Sequence, residues 1–197
     1  MLIRQAFTGL RALLVFTLLL GLAYPLAMVL IATVVPSQDS AIRNADGVVV
    51  GSALMAQPVT GDDWFYPRPS AGDYDGLSSG GSNLAATNPE LVTAITTRRA
   101  EIAEREGVDE ASIPADAVTA SASGLDPEIS PEYARLQIAR VAKETGLSRE
   151  EVETMVEANT KQPLLGFIGV PRVNVVTLNN DLANNTGARI DLADPQN

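Results

Sequence analysis

The chain has 197 residues, 14 basic and 24 acidic side chains, and a net charge of −10. It contains no cysteine and no histidine, which excludes disulfides, thiolate metal sites and any mechanism that needs an imidazole base. The acidic balance repels nucleic acid, so no nucleic-acid partner is expected.

Arg4 and Arg11 are the only charges before Asp39, and residues 12–35 are 24 consecutive uncharged residues. A helix needs about 20 apolar residues to cross a bilayer, and it satisfies its own backbone there. The run also exceeds the roughly 7–15-residue core of a cleaved signal peptide. A retained transmembrane helix is therefore expected over 12–35, with the lipid bilayer as a partner. Pro25 should disturb it mid-way, and Gly21 and Ala23 offer small residues to a neighbouring helix. Positively charged flanks stay on the cytoplasmic side. Residues 1–11 are then a cytoplasmic N-terminus, and 37–197 form a soluble domain outside the cytoplasm.

Beyond the joint at Pro36, residues 47–57 read as a strand with a glycine on each side of a β-branched centre. Trp64, Phe65 and Tyr66 make an aromatic patch, and Pro67 and Pro69 hold Arg68 in extended backbone. Arg68 is either stacked on Tyr66 or Trp64, or presented to a partner. Residues 73–87 are turn-rich. Asn88, Pro89 and Glu90 open a helix that carries Leu91, Ile95 and Ile102 on one face and fades at Gly107. Residues 107–115 read as a loop.

The run at 118–131, VTASASGLDPEISP, is rich in hydroxyls and poor in bulk. With SSGGSN at 78–83, it points to an organised polar surface whose hydroxyls stay wet in the free chain. Ser130 caps the next helix and Pro131 takes its first position. Ala134, Ile138 and Val141 form the core stripe of that helix, which leaves Arg135, Gln137 and Arg140 off it. Gly146 ends it. Ser148 and Glu151 form a capping box for a further helix with Val152, Met155 and Val156 inward. The spacing of this pair is superficially that of a helix-turn-helix, which the charge and the anchor argue against. Val173, Val175 and Leu178 predict a strand, and the tail from Asn184 reads as polar and frayed. The fold class expected is α+β: one N-terminal transmembrane helix followed by a single mixed α/β soluble domain.

Catalytic signatures are absent. There is no Walker A run, no Asp-Lys-Thr-Gly phosphorylation sequence and no Ser/His/Asp triad. Asp126 and Glu128 read as charges at a helix start rather than an acid/base pair. No catalytic residue and no metal site are assigned.

The runs GSALMAQ (51–57), FYPRPSA (65–71), SGGSNLAATNP (79–89), VTASASGLDPEISP (118–131), QIARVA (137–142) and LGFIGVPRVNVVTLN (165–179), with the single span, carry a resemblance over nearly the whole chain. The sequence resembles the KdpC family, the C subunits of bacterial Kdp potassium-transporting P-type ATPases. It departs from the common pattern at Ala85 and Ala86 (Gly-Pro), Ala122 (Gly) and Glu128 (His). The resemblance implies a subunit that is no enzyme on its own, in the bacterial cytoplasmic (inner) membrane. Its implied partners are a potassium-translocating A subunit, an ATP-hydrolysing B subunit and a small F subunit. Potassium is the ion transported by the complex, and no bound cofactor is expected.

Two roles follow from the resemblance. In the first, the subunit stabilises assembly and covers the potassium entrance of the A subunit. Its partner-contact candidates are Arg68, Ser79, Gly80, Gly81, Ser82, Asn83, Thr119, Ser121, Ser123 and Asp126. In the second, it is a chaperone that raises the ATP affinity of the B subunit in a transient complex with ATP. There Ser79, Gly80, Gly81, Ser82 and Gln137 would contact nucleotide. The charge flanks favour the first, because a loop outside the cell cannot reach nucleotide across about 30 Å of hydrocarbon.

Overall fold

Pro25 shapes the first of two units. Proline has no N–H, and its ring crowds the carbonyl four residues back. The helix absorbs this in one widened π turn, Leu19–Ala23, where the Tyr24 N–H reaches back to the Leu19 carbonyl. This turn joins α1 (Leu2–Leu18) to α2 (Tyr24–Val34). The computed structural model describes residues 2–34, 40–44 and 46–188. The expected end of the span at Val35, the joint at Pro36 and the tail beyond Ala188 lie outside the described residues.

The apolar helix covers Leu2–Val34, 33 residues, or about 50 Å at 1.5 Å per residue. It begins well before the expected start at residue 12, because nothing between Leu2 and Arg11 breaks a helix. Residues 2–11 are helical and continuous with the expected span. None of its side chains is buried within the protein, as suits a helix whose solvent is lipid.

The second unit spans residues 40–197. It opens with a two-stranded antiparallel ribbon, β1 (Ala41–Arg43) and β2 (Val49–Ser52), irregular between Ile42 and Arg43. The expected strand over 47–57 is shorter than predicted: the Met55 N–H turns back to the Ser52 carbonyl at 3.2 Å. After a long extended and looped stretch comes α3 (Pro89–Glu106), capped by Asn88 and closed by Gly107 as predicted. The expected loop at 107–115 contains a 3-10 turn, Glu110–Ser112, and leads into the short α4 (Ala115–Val118).

A second sheet has the order β3 (Glu128–Ile129), β5 (Arg172–Asn174), β4 (Thr160–Lys161), all antiparallel. Between its strands lie α5 (Pro131–Thr145) and α6 (Arg149–Ala158), with the predicted Ser130 cap and Ser148–Glu151 capping box. The strand expected through Leu178 stops at Asn174. The Asn174 carboxamide accepts from the N–H groups of Val176 and Thr177 and so starts α7 (Val175–Thr186). Residues 184–186 are its last turn, not a frayed tail. The core gathers Trp64, Phe65, Ile102, Val118, Tyr133, Ile138, Val141, Val152, Val173, Leu178 and Leu182. At about 25 cal/mol per Å² of apolar area, these side chains dominate the stability of the unit.

Candidate partner surface

The segment at 64–69 crosses the core in extended form. Pro67 and Pro69 remove two N–H donors, so it cannot join a sheet as an inner strand. Its buried backbone is satisfied by side-chain amides instead. Asn179 accepts from the Phe65 N–H and donates to the Phe65 carbonyl, both at 2.9 Å. Gln137 accepts from the Tyr66 N–H at 2.7 Å and donates to the Tyr66 carbonyl at 3.2 Å. Two carboxamides thus stand in for a neighbouring strand.

Arg140 completes the clamp. It donates to the carbonyls of Asp62 and Trp64, to the Gln137 amide oxygen, and to Glu106 at 3.0 Å. The Glu106 side chain is fully buried between Arg140 and Arg105. Arg105 lies 4.0 Å above the Tyr66 ring. Beside it opens a groove of about 160 Å³ whose walls include Tyr66, Pro69, Tyr74, Arg98 and Tyr133. Burial pushes the phenols of Tyr74 and Tyr133 up to about 12, against the pull of Arg98 on the first and Arg105 on the second. The expectation that Gln137 and Arg140 lie off the core is therefore corrected. Both are buried polar groups on the inward face of α5.

The extended segment leads into the two polar runs, which interlock. The Gly80 N–H and the Ser79 hydroxyl both donate to the Ser123 carbonyl, at 2.9 and 3.0 Å. The Ser121 N–H donates to the Pro69 carbonyl at 3.0 Å. A side chain at Gly124, whose φ is +70°, would put its Cβ 2.9 Å from the Gly80 carbonyl oxygen. A Cβ at Gly81 would lie 3.1 Å from the Ala122 carbonyl oxygen. Arg68 pairs with Asp126 at 3.2 Å and donates to the carbonyls of Thr119 and Ala120. It stacks on neither Trp64 nor Tyr66.

The structure thus brings the ten partner-contact candidates together and sorts them by depth. Ser79, Gly80, Ser82 and Asn83 are exposed; Arg68, Gly81, Thr119, Ser123 and Asp126 are half-buried. Ser121 is only 2% exposed, which corrects its reading as a wet surface group: its backbone is held under Pro69. Of the five nucleotide candidates, the run 79–82 lies on this surface, whereas Gln137 is enclosed in the core. Asp126 and Glu128 are not simple helix-start charges, since Asp126 binds Arg68 and Glu128 binds Arg172 at 2.7 Å. Among the described residues there is no group of three acidic, His or Cys side chains that could hold a metal ion.

One apolar helix of spanning length and a small α+β unit with an interlocked polar loop surface fit a single-pass membrane protein. Residues 6–184 match the family model described as K+-transporting ATPase, c chain. The chain belongs to this family, KdpC. It is 49% identical to the potassium-transporting ATPase KdpC subunit of Kineococcus radiotolerans, over 90% of this chain and 92% of that protein. It is 50% identical to the protein of that name from Caulobacter vibrioides, over 85% and 86% of the two chains. With that of Beijerinckia indica it shares 51% identity, over 90% of each.

Proposed function

We propose that the chain is a non-catalytic accessory subunit of the ATP-driven potassium importer, acting in its assembly and at its potassium entrance. The second unit lies outside the cytoplasm, and the interlocked loops 78–83 and 119–126 seat on the channel-like A subunit. The B and F subunits complete the complex.

The observation that carries this reading is the mutual fastening of the two loops. An interface whose backbone is already fixed loses less conformational entropy on binding, so more of its contact energy appears as affinity. Here Ser79, Gly80, Ser82 and Asn83 face solvent on a backbone pinned from behind by Ser123, Ala122 and Gly124. The acidic unit would also raise the local cation concentration at a pore mouth, within the Debye length of about 8 Å at physiological salt. The nucleotide-chaperone role draws less support, because the Gln137 amide is engaged with Tyr66 and Arg140 inside the unit.

The test uses the absence of native cysteine. Ser78→Cys in the assembled pump should react with a membrane-impermeant maleimide in intact spheroplasts. Labelling only after lysis would place the surface in the cytoplasm and overturn the entrance reading.

A further inference from the structure

Between β4 and β5 the chain forms a projecting hairpin. Leu164 and Ile168 are paired across it, with N–H to carbonyl distances of 3.0 and 2.9 Å. Residues 163–171, PLLGFIGVP, contain no polar side chain. Leu164, Leu165, Phe167, Ile168 and Val170 are all between 50% and 76% exposed. Val48, Val49, Leu54, Met55, Leu77 and Val92 are also exposed on this unit, but the hairpin gathers five exposed large apolar side chains within seven residues, and such a patch marks an interaction site.

Its composition separates two kinds of occupant. A protein interface surrounds an apolar centre with a polar rim that takes part in hydrogen bonds. This tip has no polar side chain on any face. An element that dips into a bilayer has another pattern: an apolar body with basic residues where it meets the headgroups. The first charged residues on either side of the tip are Lys161 and Arg172, and Arg172 is paired with Glu128 at 2.7 Å, which leaves Lys161 as the basic group open to a headgroup. Lys161 is exposed, in a chain whose net charge is −10.

The short connection between the two units allows the root of the hairpin to come near lipid. Five residues separate Val34, at the end of the apolar helix, from Ser40, a span of at most about 20 Å. The Ser40 carbonyl accepts from the Ala53 N–H at 2.7 Å, and the Ala53 carbonyl accepts from the Asn174 side chain at 2.7 Å. Asn174 ends β5, the strand that carries the returning arm of the hairpin. The tether and the hairpin are therefore fastened to the same strand.

We propose that the tip at Leu164, Leu165, Phe167, Ile168 and Val170 inserts into the lipid–water interface of the membrane that holds the apolar helix, as a second and shallower contact. Such a contact would orient the second unit over the bilayer before any partner subunit binds. It stands independently of the side on which that unit lies.

The experiment places one nitroxide label on the full chain, at Phe167→Cys, in nanodiscs of phosphatidylethanolamine and phosphatidylglycerol. The label's collision rates with oxygen and with a polar nickel chelate are compared with those at Glu157→Cys, an exposed site on α6. Leu165→Cys repeats the measurement at the tip, and the emission of buried Trp64 confirms that each variant is folded. The expected result is a several-fold higher oxygen-to-nickel ratio at 167 and 165 than at 157, in nanodiscs holding this chain alone. Equal ratios at all three sites would overturn the proposal. So would a high ratio at the tip that appears only when the other pump subunits are present, since that identifies a protein socket.

Discussion

The polar loops at 70–83 and 119–126 and the apolar hairpin at 163–171 each depart from the usual relation between composition and burial, the loops at Ser121 and Gly124 and the hairpin along its whole tip. The first pair is built of Ser, Gly, Thr and Asp, yet Ser121 and Gly124 are buried and the backbones bond to one another. The hairpin is built of Leu, Phe, Ile and Val, yet it stands in solvent. Small polar residues let two backbones approach closely, and close approach excludes water regardless of hydropathy. A short apolar hairpin has no room to fold back onto a core already filled by Val173, Leu178 and Leu182.

The largest effect is expected at the clamp that holds the backbone of residues 62–66. Arg140→Met leaves the buried Glu106 carboxylate with Arg105 alone and strips the Asp62 and Trp64 carbonyls of a donor, a loss of up to about 3–5 kcal/mol. Urea unfolding of the full chain in detergent, followed through Trp64, should show that loss; a shift near zero would mean that water reaches Glu106. A smaller effect tests the loops themselves. Ser121→Leu overpacks a filled site and should cost about 1–3 kcal/mol, while the exposed Ser82→Leu should change stability by less than about 0.5 kcal/mol. If both melt like the parent chain, the loops touch but do not interlock. The smallest effect belongs to the hairpin. Phe167→Ser should move the melting temperature within the same narrow range of about 0.5 kcal/mol, and a large destabilisation would show that the tip packs against the unit.

Local chemistry made much of the helical framework legible. Asn88, Ser130 and Ser148 cap as their side chains dictate, and Gly107 and Gly146 end helices with the left-handed backbone that glycine tolerates. The two runs that form the candidate surface were also visible, as clusters of hydroxyls and glycines. What stayed hidden depended on distant partners. Gln137 and Arg140 have polar side chains, and only the buried backbone of Trp64, Phe65 and Tyr66, some 70 residues away in sequence, makes an inward position favourable for them. Val173, Val175 and Leu178 fit a strand as well as a strand followed by a helix. Asn174 decides between these by capping, a role that the apolar pattern alone did not reveal. The outward projection of the hairpin follows from the finished core rather than from any local signal; a Cβ at Gly166 would meet nothing within 4 Å.

The widened turn at Leu19–Ala23 has a consequence for anything that lies alongside the anchor. One extra residue in a helix advances every later side chain by about 100°. The stripe that α1 shows to a neighbour is therefore not the stripe that α2 continues. A companion helix following one side of α1 meets a different set of side chains beyond Tyr24, and Gly21 and Ala23 sit at the seam between the two. A single span thus carries two apolar stripes that face different ways, joined at the widened turn.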